Sequence, residues 1–593
     1  MNASLRAARA LLLLAGFYLM GLVLLGLVLT LDAFVVVGLL HGHALFALVK
    51  LLLISLALTV PVLDGMLAML RRKGDDGPDG HEVTAAAQPE LWAEVAEAAR
   101  LAGTRAPDRV VLIGDVNAAV AERTRLLGLV PGRRSLYLGV PLLTGLTVPR
   151  LRAVLAHEFG HYGHQDTRLA SITMRGRVAM THTIDSFRAG AADGSRSHAF
   201  LGNLYVRYAR LYLRVSQSVA RRQELAADRA AALAVGRRTT ANALREVPLL
   251  STAFGFYVTR YATAGRKVSL LPPAGEFYGG FRHLLADPDR GEELARMRAG
   301  LPEEEQSPYD SHPPMAERVR LIEELPDDGR PDDPSAPAAL TLLRDRAGVL
   351  AAVESATLVA DVAGFRRVAW ADLFQSKGWS AATAAAEPLR KAVFAVRGGD
   401  AAMLPTIEET LDAIDAGRLW TEIVPRLPVP RGGTGQGSPE ELRSAVRDGL
   451  TALAHLALAH AGTARWELSW AGAPVRLVLP PDVSAHLATA VEAASTDTPD
   501  TTPLRRLLTE PQAPTAADPA PDAPGAVDPA RAAENPEAGD PARAAENPGA
   551  GDPARAAENP GAGDPARSAV APGAVDRAPA AENPGAGGPA GGR

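Results

Sequence analysis

The sequence predicts an α+β protein, mainly helical, led by a transmembrane hairpin and closed by a disordered tail. Three observations carry that class. A charge-free apolar run opens the chain, short strand-like runs give way to long Ala- and Leu-rich helical stretches, and almost no large apolar side chain follows Pro511.

Ala10 to Leu31 carries no charge and is long enough to cross a bilayer. It exceeds the apolar core of a secretory signal and continues past Asp32 to Leu40 without a clear cleavage site. A second apolar stretch, Ala44 to Leu70, contains Lys50 and Asp64, which snorkelling or packing can accommodate. Residues 1–75 are therefore expected to form a hairpin with spans at about 10–31 and 44–70. Arg6 and Arg9 precede the first span, Arg71-Arg72-Lys73 follow the second, and the turn between them has neither Lys nor Arg. The positive-inside rule then puts both ends, and the domain that follows, on the cytoplasmic side of the cell membrane.

Gly74 to Gly80 reads as a polar linker. Beyond it, residues 89 to 103 read as a helix, and Arg109 to Ile113 and Ser135 to Gly139 as short strands. A further helix follows: Thr147 can cap it, Pro149 suits its first turn, and Leu151, Val154 and Leu155 form an apolar stripe. That stripe leads into His157-Glu158-Phe159-Gly160-His161. Residues four apart share a helical face, so two imidazoles sit one turn apart with a carboxylate beside them, the pattern of a zinc hydrolase.

A second helix is expected from Gln217 to Val235, closed by Gly236, with Glu224 and Asp228 on one face. Alone, Glu224 would read as a solvated carboxylate paired with Arg221 or Arg222. Coupled to the upstream motif it becomes a candidate third ligand, since His, His and Glu with one open position form a catalytic zinc set.

In this order and spacing, His157-Glu158-Phe159-Gly160-His161, Asp166, Glu224 with Asp228, and Ser311-His312-Pro313-Pro314 with Arg318 resemble the membrane zinc metallopeptidases of family M48, which include the HtpX proteases and the CAAX prenyl proteases. The resemblance covers roughly residues 85 to 325. It implies a gluzincin-type fold with His157, His161 and Glu224 on one zinc ion per chain and Glu158 as catalytic base. It further implies that Asn117-Ala118-Ala119-Val120-Ala121 is an edge strand that pairs with substrate, with Asn117 and Ala118 as substrate-binding residues. His312 would lie near the scissile carbonyl and stabilise the oxyanion; by itself, a His before two prolines reads as a turn residue.

Zinc would supply a water ionising near pH ~7, and Glu158 would carry its proton to the departing amine. Ligating imidazoles donate their other ring N–H to a carboxylate or carbonyl, and Asp228 or Asp166 can accept it. His164 points to a neighbouring face, and His182, His41 and His43 have no partner pattern. Binding by strand addition predicts weak sequence preference among protein or peptide substrates.

Leu169 to Val215, where some relatives carry two further spans, is interrupted by Arg175, Arg177, Arg188, Arg207, Arg210 and Arg214, which disfavours full spanning. Tyr205, Tyr208 and Tyr212 interleave with arginines there, as an interfacial helix or as an ordinary amphipathic helix on the domain. A net charge of −5 without a recognition motif argues against nucleic acid as a partner. The absence of Cys excludes disulfides and thiol catalysis. Arginine far exceeds lysine and alanine is abundant, which points to a GC-rich bacterial genome.

The acidic stretch Pro326 to Pro337 divides a peptidase domain, 81–325, from a mostly helical accessory region, 340–508, with a possible hairpin between Trp466 and Leu479 around Ala471-Gly472. The tail, 511–593, repeats a twelve-residue unit starting at Asp528, Asp540 and Asp552 and has too little apolar surface to order. The expected function is a membrane-anchored zinc endopeptidase in membrane protein quality control, acting beside the lipid bilayer. A narrow processing peptidase and a non-proteolytic scaffold with a regulatory metal are the alternatives. The sequence sets no oligomeric state.

Overall fold

The computed structural model describes residues 3–39, 55–56, 59–60, 62–63, 77–122, 132–163, 180, 183–188, 196–299, 313–359, 362, 364–398, 404–428 and 438–509. Two compact units divide the chain, residues 1–517 and 518–593. The second unit and the expected disordered tail from 511 lie outside the described residues.

Helix α1 (Ala3–Leu39) is one unbroken run and contains the 23-residue segment Leu12–Phe34, apolar and long enough to cross a membrane. Among the described residues it is the one helix that meets that test. The second expected span, 44–70, lies mostly outside them, so the hairpin is represented by α1 alone.

A four-stranded sheet follows, built from β1 (His81–Val83), β2 (Arg109–Ile113), β3 (Ala118–Glu122) and β4 (Arg134–Gly139), in the order β1-β2-β4-β3. Strand β2 runs parallel to β4, while β1 and β3 are antiparallel to their neighbours, which leaves β3 at an edge. One sheet face, through Val110, Leu112, Leu136 and Leu138, packs into the main core with α2 (Pro89–Leu101). The other face buries Val111, Ile113 and Tyr137.

Two short steps lead to the motif. Helix α3 (Val140–Gly145) turns the chain out of β4, and α4 (Val148–Gly163) carries the histidines. Leu151, Leu155 and Phe159, four residues apart, are fully buried and fix which face of α4 meets the core. Thr147 serves α4 through its carbonyl, which accepts from Leu151 N–H at 2.8 Å. Its hydroxyl caps nothing among the described residues, contrary to expectation, and Pro149, at the second helical position, has no N–H to offer it.

The expected 217–235 helix and the tyrosine-arginine segment before it are one element, α5 (Arg196–Val235), 40 residues long. No Gly or Pro interrupts it after Gly202, so nothing in the backbone stops it before Gly236. Gly236, at φ 126°, separates it from α6 (Arg237–Tyr257). A side chain would be strained in that conformation.

The acidic stretch is strapped to the domain. Arg150 pairs with Asp332 at 2.7 Å and Arg237 with Asp327 at 3.0 Å, and Ala339 N–H donates to the Leu146 carbonyl at 2.7 Å. Past it, Leu340, Leu350, Val353, Leu373 and Phe374 join the same core as the sheet. The long helix α12 (Trp370–Arg397), which follows α7 (Glu276–Gly279), α8 (Phe281–Ala286), α9 (Pro288–Ala299), α10 (Met315–Glu323) and α11 (Arg346–Thr357), leads into a second core. There Leu389 and Val393 meet Leu411, Leu450 and Val491 from α13 (Ile407–Asp415), α14 (Pro439–His460) and α15 (Pro481–Ala494). The hairpin expected near Ala471 is present: Arg465–Leu468 pairs antiparallel with Val475–Val478.

Candidate active site

Helix α4 lies against α5, and Gly160 faces that contact. A Cβ there would lie 3.4 Å from the Ala227 Cα, an ordinary contact, so the two backbones leave room for a methyl and little more. The approach brings Glu224, sixty-three residues after His161, to the imidazole pair.

His157 Nε2 and His161 Nε2 are 3.3 Å apart. The Glu224 carboxylate reaches both, Oε2 to His157 Nε2 at 3.5 Å and Oε1 to His161 Nε2 at 3.7 Å. One ligand atom from each residue lies within 4.8 Å of the others. Tetrahedral ligands about 2.05 Å from an ion are separated by roughly 3.3 Å, so the donor set fits zinc in both chemistry and spacing.

Behind these groups, Asp228 Oδ1 is 2.9 Å from His157 Nδ1. Arg318, on α10, donates to Asp228 through Nε at 2.8 Å and Nη2 at 2.7 Å. All three side chains are buried. Burial opposes charge on His157, yet hydrogen bonding with Asp228 and Glu224 outweighs it and raises the pKa to about 9. Burial and the neighbouring His157 lower His161 to about 4. Burial also works against the Asp228 carboxylate, but Arg318 and His157 hold its pKa below the ordinary value.

The site opens into a cleft of about 130 Å³ lined by Asn117, Ala118, His157, Glu158, Glu224 and Arg318 among others. Edge strand β3 forms one wall. Gly139 N–H donates to the Asn117 carbonyl at 2.8 Å, so Asn117 faces β4. The alternation of an antiparallel pair then turns the main-chain groups of Ala118 and Val120 to the open edge. Tyr162 Oη donates to the Val120 carbonyl at 2.5 Å, leaving Ala118 as the edge position beside the metal helix.

Of the residues singled out in the sequence, His157, Glu158, His161, Glu224, Asp228, Asn117 and Ala118 come together around this cleft. Asp166 and His312 lie outside the described residues. The sequence reading assigned no role to Arg318, although its buried guanidinium completes the row from His157 through Asp228. Its signal was its place one turn after Pro313-Pro314, at the start of a helix.

Residues 85–325 match peptidase family M48. A protease HtpX homolog of Methylibium petroleiphilum is 26% identical over 232 residues, which is 38% of this chain and 79% of that protein. No solved structure matches the chain. The M48 match thus spans the residues that build the cleft, and the chain is similar to an HtpX protease homolog.

Proposed function

We propose that the chain is a zinc-dependent endopeptidase, anchored in the cell membrane through α1, that cuts extended protein segments in membrane protein quality control. The observation that carries this reading is the convergence of His157, His161 and Glu224 beside Glu158 at the end of an open sheet edge.

Zinc held by His157, His161 and Glu224 would supply a Lewis acid that lowers the pKa of a water towards ~7 and polarises a carbonyl. Glu158 takes the proton from the attacking water and delivers it to the leaving amine. Asp228 Oδ1, 2.9 Å from Nδ1, pairs with the His157 ring, and Arg318 holds Asp228. The Ala118 edge of β3 adds a main-chain partner to an extended peptide, which recognises conformation more than side chains. His312 is assigned to the oxyanion by resemblance to the family. Arg6 and Arg9 ahead of the span Leu12–Phe34, with Arg71-Arg72-Lys73 after the second expected span, favour a cytoplasmic active site.

The test is cleavage of an unfolded protein by the detergent-purified chain beside Glu158→Gln, with zinc measured in both. The reading expects the variant to keep its metal and lose at least ~100-fold in rate. Equal rates in the two proteins would refute the role of Glu158.

A further inference from the structure

Helix α5 has two halves with different surroundings. Its second half carries Glu224 and Asp228 against α4, whereas its first half packs on the apolar helix α1. Tyr208 Oη donates to the Leu13 carbonyl at 2.6 Å, a Cβ on Gly16 would strike that same hydroxyl, and the Phe17 and Tyr205 rings meet edge-on at 5.8 Å. As contacts move up α1 they move down α5, so the two helices run antiparallel. Extending this register sets Phe200 near Leu22, Leu204 near Tyr18, and Arg207 and Arg210 near Ala15 and Leu12.

Phe200 and Leu204 are exposed apolar side chains at the deeper end of this half, beside exposed Asn203, and Leu211 lies just past the arginines. Phe200 is 71% exposed, Leu204 43% and Leu211 50%, and all three fall on one helical stripe. Their neighbours on α1 are exposed too, Leu22 at 57% and Leu19 at 62%. The stripe therefore continues the apolar surface of the candidate span Leu12–Phe34. Arg207 and Arg210 are exposed at the level where that span begins, and Arg6 and Arg9 stand in the same region of the sequence.

We infer that the first half of α5 is embedded in one leaflet of the bilayer, with Phe200 and Leu204 against acyl chains and Arg207 and Arg210 at the lipid phosphates. This rests on the reading that α1 crosses the membrane. The arginines, which disfavour a full crossing, are matched to a partial one: long side chains near an interface reach the phosphates while their stems stay in apolar surroundings. Because α5 continues unbroken to Val235, it also sets the height of the active site. Glu224 is fourteen residues beyond Arg210, about 20 Å at 1.5 Å per residue. An extended substrate chain needs about six residues to cover that distance, so bonds closer to the membrane surface escape cleavage.

The chain has no Cys, so single cysteines report without background. Phe200→Cys, Leu204→Cys, Leu22→Cys and Leu233→Cys are introduced separately into the full chain in lipid vesicles permeabilised to expose both faces. Each is treated with a charged maleimide and with a lipid-soluble one. Leu233, 62% exposed on the second half of α5, is the water-facing control. The expected result is labelling at 200, 204 and 22 at least ~10-fold slower than at 233 by the charged reagent, with 200 and 204 reacting with the lipid-soluble one as fast as 22, whose thiol is equally disfavoured as thiolate by apolar surroundings. Fast charged labelling at 200 and 204 with 22 still protected would overturn the inference and leave the α1 anchor standing. Fast labelling at 22 as well would remove the anchor and the inference with it. Failure of 200 and 204 to react with the lipid-soluble reagent where 22 does react would mean that protein covers them, which also overturns it.

Discussion

Arg318 grips Asp228 with two hydrogen bonds, 2.8 and 2.7 Å long, and Asp228 in turn stands 2.9 Å from Nδ1 of His157. The pair is buried, so each charge depends on the other for compensation. Arg318→Ala leaves a carboxylate without its cation and is expected to cost about 3–5 kcal/mol in denaturant unfolding. Asp228→Asn preserves shape but weakens the acceptor for His157, and zinc affinity in a competition titration should fall about 10- to 100-fold.

Gly160 controls how closely α4 and α5 approach. Gly160→Ala adds a methyl at 3.4 Å from Ala227 and should be mild, within about 1 kcal/mol. Gly160→Leu cannot fit without separating the helices, which pulls Glu224 away from both histidines. Zinc content per chain should drop well below one while the far-UV CD spectrum stays helical.

Trp470, in the β-hairpin loop, joins the C-terminal region to the peptidase core. It stacks on Tyr261 with ring centroids 4.8 Å apart and on His283 at 5.4 Å, while Arg290 donates to its carbonyl. Trp470→Ala should cost about 3–5 kcal/mol. Because residues from both sides of the acidic stretch share one core, the loss should appear as a downward shift of a common thermal transition. Two separate transitions in the wild-type protein would contradict that coupling.

Glu276 predicts an acid limb of stability. Burial raises its pKa, but hydrogen bonds from His283, Arg282 and Trp370 outweigh that and hold it at about 2. A folded-state value below the unfolded one stabilises above the unfolded pKa of 4.5 and is lost as pH falls from there towards 2. With solvent screening discounted, the contribution is about 1–2 kcal/mol. Glu276→Gln should lower stability at pH 7 by that amount and flatten the acid limb, as read from urea midpoints across pH 2 to 7.

Much of the local structure could be read without coordinates. Arg109 to Ile113 is a strand as expected, and the hairpin around Ala471 follows from its turn residues. The sequence reading treats the 40 residues of α5 as two pieces, one weighed for membrane contact up to Val215 and one for its carboxylates from Gln217. Charge on a solvent- or lipid-facing stripe does not stop a helix; only backbone chemistry such as that of Gly236 does. The Thr147 cap failed for a different reason: Pro149, at the second helical position, has no N–H to donate to its hydroxyl.

By itself, the sequence determined whatever repeats within a turn or two of backbone. This includes the spacing of His157 and His161, the shared face of Glu224 and Asp228, the apolar run of α1 and the break at Gly236. Tertiary structure alone decided which distant groups meet. Arg318 reached Asp228, β3 became the open edge of its sheet, Trp470 seated between Tyr261 and His283, and the tyrosines of α5 turned towards α1. The physical reason is range. Helix and strand periodicities record each residue's immediate neighbours, whereas a contact between remote segments depends on how entire faces pack, and on a small residue where little more than a methyl fits, as at Gly160.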